Sequence, residues 1–367
     1  MILILSVIFI ALVFEYINGF HDTANSIATV VATKVLSPRQ AVMLAAVSNL
    51  IGALWGTAVA KTIASGLVDT DKVTQEVLIC ALIGAIIWNL ITWYWGLPSS
   101  SSHALVGGLV GAAVAAANSW HVVIWSVPDK EHFYAGKGLL WKVIVPMFAS
   151  PIAGFALGFL IMSFLYLLLR KWKPRWVNAI FGKAQIVSAA GMGLMHGTND
   201  AQKTMGIIAL ALVAGTTSGR LDNLPDWMSF LHLAPPAEGK SIDIPIWIKV
   251  VCAIVMAAGT AAGGWRIIKT LGNKMVKLQP VHGFAAETTS ASIIGLASHF
   301  GIPVSTTHNI SAAIMGVGSA KRLGALKWTV VERMAWAWLL TIPVSAFIAY
   351  WSVIMLRVVG IIPALAS

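Results

Sequence analysis

Charged residues are scarce in this chain. Of its 367 residues only 11% are Asp, Glu, Lys or Arg, whereas soluble globular domains carry about 25%. Hydrophobic residues make up 58% of the chain, and the mean hydropathy is +0.81. This composition argues against a water-soluble domain and predicts a polytopic membrane protein of the all-α class.

Acidic residues and cysteines are the rarest chemically active groups. The chain has 14 acidic against 25 basic residues, a formal net charge of +11. In a membrane protein such an excess mainly sets orientation, so we predict no nucleic-acid partner. The two cysteines, Cys80 and Cys252, lie in apolar stretches without CxxC or Cys/His spacing, which argues against a disulfide or a zinc site.

The N-terminal apolar segment lacks the marks of a signal peptide. Residues 2–14 have no basic region before them, and no clear cleavage signal precedes Glu15. We therefore interpret this segment as the first membrane helix.

Two copies of one short motif stand out against this apolar background. Residues 96–103 read Gly-Leu-Pro-Ser-Ser-Ser-Ser-His, and residues 301–308 read Gly-Ile-Pro-Val-Ser-Thr-Thr-His. Proline at a first helical position and hydroxyl caps predict a helix start in each. Free N–H groups, the positive end of the helix dipole and clustered hydroxyls suit an anion. We call these motifs the first and the second cradle.

Two cradles in an apolar chain predict an anion carried across a membrane. A passive anion channel is one alternative. An intramembrane serine hydrolase is another reading of the Ser/His runs, but the G-x-S-x-G sequence of such enzymes is missing, so we predict that the protein is not an enzyme.

Each half also has an apolar helix interrupted by polar residues. These interruptions are residues 18–26 and residues 195–203, and their alignment puts Asp22 opposite Asp200 and Asn25 opposite Lys203. Because polar groups in the middle of a membrane are costly without partners, water or a site, the sequence predicts a broken helix at each place.

The order of broken helix, span and cradle occurs twice and gives the predicted organisation. The helices after the cradles are too short for a hydrocarbon core of roughly 30 Å, so each cradle is predicted to be the tip of a re-entrant hairpin. The predicted segments are a first repeat at 1–118, an external loop, long span and basic cytoplasmic loop at 119–183, a second repeat at 184–319, and a C-terminal span at 320–367.

Charge placement predicts how the two halves are oriented. With the basic residues at 34–39, 170–183, 269–277 and 321–327 all in the cytoplasm, the halves run in opposite directions and both termini are external. Inverted repeats with broken helices meeting near the midplane are the architecture of secondary transporters.

Carboxylates in the predicted membrane region are the first candidates for function. Asp22 and Asp200 are such candidates by default, and Glu15 and Glu287 are weaker ones at the edges of the interrupted elements. Lys203 is either the partner of an aspartate or a direct contact for the anion.

The histidines have both structural and functional interpretations. His21, beside Asp22, could exchange protons near neutral pH or be structural. His103 and His308 occupy matched positions, where they either fix the hairpins or bind the ligand. His196 lies near Asp200, but neither His21/Asp22 nor His196/Asp200 makes a closed set of metal ligands.

Taken together, residues 18–25, 196–200, 98–103 and 303–308 resemble the duplicated signatures of the PiT inorganic phosphate transporter family. The resemblance extends over nearly the whole chain, and four motifs in the right order make it specific. The resemblance implies a multi-pass phosphate symporter of the cytoplasmic membrane without a resident cofactor, with both cradles and both signature aspartates in one central site. Its implied partners are inorganic phosphate and membrane lipid, and a homodimer is compatible with the family.

His21 is a departure that bears on the coupling ion. Sodium-coupled members commonly carry Asn at this position, and this chain looks more like the bacterial low-affinity branch, which is proton-coupled and accepts phosphate complexed with a divalent metal. The pair Asn199-Asp200 could still supply oxygen ligands for sodium. Sodium-coupled symport, and a sulfate permease on the same scaffold, therefore remain alternatives.

The predicted site comprises three groups of residues. Phosphate is assigned to Ser99, Ser100, Ser101, Ser102, Ser305, Thr306, Thr307, Asn25 and Lys203. The coupling proton or ion is assigned to Asp22, Asp200, His21, Asn199 and Glu287. Supporting roles are assigned to His103, His308 and His196.

Overall fold

The computed structural model describes residues 1–65, 67–69, 73–127, 136–222, 224–235 and 241–362. These residues form twelve α-helices and no β-strand. The helices are α1 (Ile2–Ala32), α2 (Pro38–Ala53), α3 (Ala58–Ser65), α4 (Gln75–Trp95), α5 (Ser101–Ala117), α6 (Val145–Leu169), α7 (Pro174–Thr217), α8 (Ile246–Ala262), α9 (Trp265–Lys269), α10 (Pro280–His299), α11 (Thr306–Ser319) and α12 (Trp328–Val358). Two π-helical segments, Leu140–Ile144 and Thr270–Lys274, adjoin α6 and α9.

The predicted all-α, multi-span class is confirmed. Four helical segments in the described part of the chain are long and apolar enough to cross a membrane: α1, α4, the π-helical turn with α6, and α12. Two further spans are formed if α2 with α3, and α8 with α9, each count as one bent element. The composition of the chain and its helices therefore agree on a multi-pass membrane protein.

The predicted breaks in the two polar helices are wrong. Helix α1 runs unbroken through residues 18–26, and α7 runs unbroken through residues 195–203. The polar side chains find partners within the bundle, so the backbone need not open to satisfy them. Thr23, for example, donates to the carbonyl of Gly19 at 2.6 Å and lies 3.2 Å from that of Thr260.

The breaks lie in the following span of each half. The axes of α2 and α3 differ by 70°, and those of α8 and α9 by 58°. A glycine with positive φ occurs at each bend, Gly56 at +85° and Gly263 at +74°. Only glycine adopts this backbone conformation without a steric cost, so the bends are fixed by sequence.

The predicted basic loop before the second repeat is shorter than expected. Helix α7 begins at Pro174, where proline suits a first helical position, so residues 174–183 are helical and only residues 170–173 connect the two helices. In the predicted loop 119–137, residues 128–135 lie outside the described residues. The longest polar stretch of the chain is residues 216–243. Residues 223 and 236–240 of this stretch also lie outside the described residues, while Met228 and Leu231 are buried.

Helices α1 and α7 lie side by side and antiparallel. Glu15, in the first half of α1, accepts a hydrogen bond from Thr204 in the second half of α7. Thr33, just after α1, donates to Gln185 near the start of α7 at 2.8 Å. The polar stretches of the two helices therefore meet near the middle of the bundle.

Several helix pairs pack with their backbones in contact. Four of them are α1 with α8, α7 with α2, α5 with α12, and α11 with α6. A Cβ atom built on Gly19, Gly197, Gly111 or Gly316 would lie only 2.1–2.5 Å from a carbonyl oxygen of the partner helix. Small residues of this kind are what allow membrane helices to approach so closely. We refer to these four pairs of helices as the four tight helix pairs.

Candidate functional site

Each cradle is a break between two helices that ends in a capped helix start. Gly96, with φ +65°, ends α4, and Gly301, with φ +64°, follows α10. The Ser100 hydroxyl accepts the backbone N–H of His103 at 3.2 Å, and Ser305 accepts that of His308 at 3.1 Å. The predicted caps are present.

The prolines, however, are not at the first helical positions as predicted. Pro98 and Pro303 lie in the extended segments before the caps, three residues before α5 and α11 begin. In this place they favour the extended backbone of the break instead.

The two cradles are held by each other's half of the chain. Thr62 of α3 donates its hydroxyl hydrogen to the carbonyl of Gly301 at 2.7 Å. Thr270, in the π-helical segment after α9, donates to the carbonyl of Gly96 at 2.9 Å. The bent span of one half thus supports the cradle of the other.

Both cradles are buried and in contact. The hydroxyl of Ser102 lies 3.5 Å from the carbonyl oxygen of Val304. The rings of His103 and His308 meet edge to face, with centroids 4.8 Å apart, and His308 also stacks on Trp338 at 4.3 Å. All five residues named here except Trp338 are buried, so the hydroxyl groups face a shared interior.

Lys203 of α7 connects the two cradles. Its ammonium group donates to the hydroxyl of Ser102 in the first cradle and, at 3.1 Å, to the carbonyl of Val304 in the second. It also forms an ion pair with Asp200, one turn earlier on the same helix. The sequence left open whether Lys203 pairs with an aspartate or faces the anion, and its position allows both.

Asp200 has neighbouring polar groups both on its own helix and in the second cradle. Besides Lys203, the hydroxyl of Thr306 donates to its Oδ2 atom at 3.1 Å. The Nε2 atom of His196 lies 3.0 Å from the same oxygen, and the Nδ1 atom of His196 lies 3.1 Å from the side-chain oxygen of Asn49 on α2. Asp200 therefore joins the second cradle to α7 and, through His196, to α2.

Asp22 has a different partner. The Nδ1 atom of its neighbour His21 lies 2.6 Å from Asp22 Oδ1. The Nε2 atom of His21 lies 3.1 Å from the hydroxyl of Thr92, which also accepts a hydrogen bond from Ser99 at 2.8 Å. His21 thus connects Asp22 to the first cradle, and Ser99 is occupied within that cradle.

Asn25 contacts the opposite cradle. Its amide nitrogen donates to the hydroxyls of Thr306 and Thr307 at 3.1 and 2.9 Å. Asn199, in contrast, donates to Ser298 at 2.8 Å and to the carbonyl of Ile302 at 3.3 Å, at the junction of α10 and the second cradle. Of these two asparagines, Asn25 is the one bonded to cradle hydroxyls.

Several buried polar atoms around the cradles have no hydrogen-bond partner in the described part of the chain. They are the hydroxyls of Ser26 and Ser101, the side-chain oxygen of Asn25, Nδ1 of His103 and Nε2 of His308. Buried polar atoms are nearly always paired, so a cluster of unpaired ones marks a place where a polar ligand would complete the hydrogen bonding.

Three of the ionisable groups converge closely. One ligand atom from each of Asp22, His196 and Asp200 lies within 4.8 Å of the others, and all three residues are buried. Carboxylate oxygens and an imidazole nitrogen can coordinate a cation. The sequence motifs pair His196 only with Asp200. They do not predict the group of three, because Asp22 comes from the other half of the chain.

Glu287 is separate from the cradles. Its carboxylate accepts hydrogen bonds from Thr29 and Ser188 and, at 3.1 Å, from the amide of Gln185. These partners join α1, α7 and α10 near the end of α1. The structure therefore gathers the other predicted residues around the cradles but leaves Glu287 in a site of its own.

Further buried polar residues, which the motifs do not predict, hold the residues of the site in place. Asn49, Thr92 and Thr260 are buried and bond to or between the signature residues. Gln202 caps the start of α3 through the N–H of Val59 at 2.8 Å. The signal shared by Asn49, Thr92 and Thr260 is a polar residue in an otherwise apolar run, whereas Gln202 lies in the polar stretch 195–203.

Comparison with known proteins identifies the family of this chain. Residues 18–349 match the model of the phosphate transporter family. The chain belongs to the phosphate transporter family. The match starts at the first polar stretch and includes both cradles, and the members of this family are transporters, not enzymes.

Relatives and a solved structure cover almost the whole chain. A protein of Bacillus subtilis (strain 168), named a probable low-affinity inorganic phosphate transporter, is 43% identical over 94% of this chain and 95% of its own length. A protein of the same name from Mycobacterium leprae (strain TN) is 42% identical over 96% of this chain and 78% of its own. A solved structure titled the sodium-dependent phosphate transporter has the same fold, with a TM-score of 0.79, 23% identity and coverage of 98% and 100%.

Proposed function

We propose that this member of the phosphate transporter family is a secondary active symporter that carries inorganic phosphate across the cytoplasmic membrane, driven by protons. The observation that carries the proposal is the meeting of two buried hydroxyl cradles with Lys203 between them and Asp22 and Asp200 beside them. Phosphate would take the hydroxyls and N–H groups of both cradles, with Lys203 offsetting part of its charge.

Electrostatics gives a reason for coupling. Two aspartates and one lysine leave little compensation for an anion, so a cation has to enter with phosphate. Protonation at the carboxyl groups or His21, or a divalent metal bound to phosphate, would supply that charge. The relatives named low-affinity inorganic phosphate transporters support phosphate as the substrate.

The antiparallel contact of α1 and α7 supports inverted repeats. In an inverted pair, the two polar stretches face one central site from opposite directions, and the two hairpins enter from opposite sides. Alternating exposure of the cradles to either side would then follow from movement of one half against the other.

Sodium coupling is the second candidate, and one observation favours it. Asp22, His196 and Asp200 offer three ligand atoms in one buried place, and the structural neighbour is titled sodium-dependent. A cation bound there would be carried together with phosphate.

Purified protein in liposomes distinguishes these functions. Uptake of radiolabelled phosphate is measured under a proton gradient alone, a sodium gradient alone, and neither, each with and without Mg²⁺. We expect accumulation under the proton gradient, with excess sulfate failing to compete. Accumulation under sodium only would favour the second candidate, sulfate competition would indicate a general oxyanion permease, and uptake that never exceeds equilibrium would indicate a channel.

A further inference from the structure

One buried carboxyl group has no part in the site described above. Glu15 of α1 is fully buried. Its Oε2 atom accepts a hydrogen bond from Thr204 of α7, and the side chain of Asn18, one turn later on α1, also faces the carboxyl group. Within the described part of the chain its Oε1 atom has no partner at hydrogen-bond geometry. This environment contrasts with that of Glu287, whose carboxylate has three donors.

Glu15 lies in line with the transport site. It precedes Asp22 by seven residues, which is about two helical turns and some 10 Å along the same face of α1. Its partner Thr204 follows Lys203, the residue that bonds both cradles. The hydrogen-bond partner of Glu15 is therefore adjacent in the chain to the residue that contacts both cradles.

This carboxyl group forms no ion pair with another residue that the structure describes. The titratable groups that face it are Asp200 and Lys203 of α7 and Cys252 of α8. Within the described residues, Lys203 forms its ion pair with Asp200 and none of the five ion pairs includes Glu15. Ionisable groups inside a membrane bundle are costly to keep unless they serve ions or protons.

We propose that Glu15 carries the coupling proton, with Thr204 as its partner in both protonation states. This inference rests on the proton-coupled symport proposed above. A hydroxyl can donate to an ionised carboxylate and accept from a protonated one, so Thr204 serves either state. The proton comes from water on one side, resides on a Glu15 oxygen and leaves to water on the other, and no other bond changes.

The decisive variant is Glu15→Gln, which keeps the size and the contact with Thr204 but cannot exchange a proton. Two measurements are made in liposomes: accumulation driven by a proton gradient, and exchange of external labelled phosphate for internal phosphate without any gradient. We expect accumulation to fall at least about tenfold and its dependence on external pH to flatten, while exchange stays within about twofold of wild type.

Two further variants serve as controls. Glu15→Asp keeps a carboxyl group, and we expect it to restore part of the proton-driven accumulation. Glu76→Gln makes the same chemical change at a carboxylate in the first turn of α4, whose oxygen lies 3.1 Å from a guanidinium nitrogen of Arg220. This variant should leave both measurements unchanged.

The possible outcomes separate this inference from the proposed function. Wild-type accumulation and pH dependence in Glu15→Gln overturn the role of Glu15 alone. Loss of exchange together with accumulation also overturns it, because Glu15 would then be needed for binding or folding. If wild-type protein itself accumulates phosphate only under a sodium gradient, proton coupling fails first and the role of Glu15 falls with it.

Discussion

The two halves of the chain have the same framework but different charges at the site. Both cradles begin at a glycine with positive φ, end at a serine cap and are supported by a threonine from the other half. Around the aspartates the halves differ in one respect: each aspartate lies beside a histidine, His21 or His196, but Asp200 is also paired with Lys203.

That difference suggests a division of work. We propose that Lys203 gives the second half a fixed positive charge that favours an anion, whereas the first half has the neutral Asn25 at the matched position. Substitutions on matched positions test this division directly.

The largest effect is expected at the aspartates. Replacing Asp200 by Asn removes the partner of Lys203 and leaves that cation buried, so concentrative uptake should fall at least about 100-fold. Asp22→Asn should have a similar effect through loss of its carboxylate charge. Uptake in liposomes measures both, and Asp222→Asn, at a carboxylate 65% exposed, is the control. Concentrative uptake close to wild type in both variants would contradict the role of the aspartates.

The next largest effect is expected at Lys203. Lys203→Asn introduces the residue that the first half has at the matched position, Asn25. It removes the contacts of the ammonium group to Ser102 and Val304. The KM for phosphate should rise at least about tenfold, since a charge-assisted contact is worth roughly twice a neutral one. Asn25→Ala, which removes only neutral hydrogen bonds, should raise KM less. An equal effect of the two changes would contradict the division between the halves.

A smaller difference is expected between two serines of the first cradle. Ser101 has an unpaired buried hydroxyl, whereas that of Ser99 is bonded to Thr92. If Ser101 contacts phosphate, Ser101→Ala should raise KM by about threefold to tenfold with little change in thermal stability. Ser99→Ala should lower thermal stability and affect KM less. The reverse pattern would remove Ser101 from the binding site.

The smallest effect is expected at the threonines that support the cradles. Thr62→Val and Thr270→Val each remove one hydrogen bond to a cradle carbonyl, which should cost about 1–2 kcal/mol of stability. Thermal unfolding in detergent should show similar losses for the two variants if the halves are equivalent in framework. A loss confined to one variant would show that only one cradle depends on its bent neighbour.

Much of the fold follows from the sequence, because the hydrophobic runs are long and the cradle motifs punctuate them. The starts of α5 and α11 come within two residues of the serine caps that predict them. The continuity of α1 and α7 could not be predicted in this way. It depends on partners such as Thr260 and Asn49, which are single polar residues in distant helices.

The sequence predicts members of the candidate site, but not the contacts between them. Motif duplication points to the cradles, the aspartates and Lys203 as members. It could not show that His196 and the two aspartates come together, nor that Asn199 bonds to α10 and not to the cradle hydroxyls. Both facts depend on how the helices are rotated against each other, which hydropathy does not encode.

The four tight helix pairs restrict how this molecule can move. Where a carbonyl oxygen lies against a glycine, sliding or rotation of either helix would bring backbone atoms into collision, so we expect each pair to move as one rigid block. Any rearrangement that opens the interior must therefore run along the seams between blocks. The cradles belong to the blocks α5 with α12 and α11 with α6, and the aspartates to the blocks α1 with α8 and α7 with α2, so the seam passes through the contacts of Lys203 and Asn25 with the cradles.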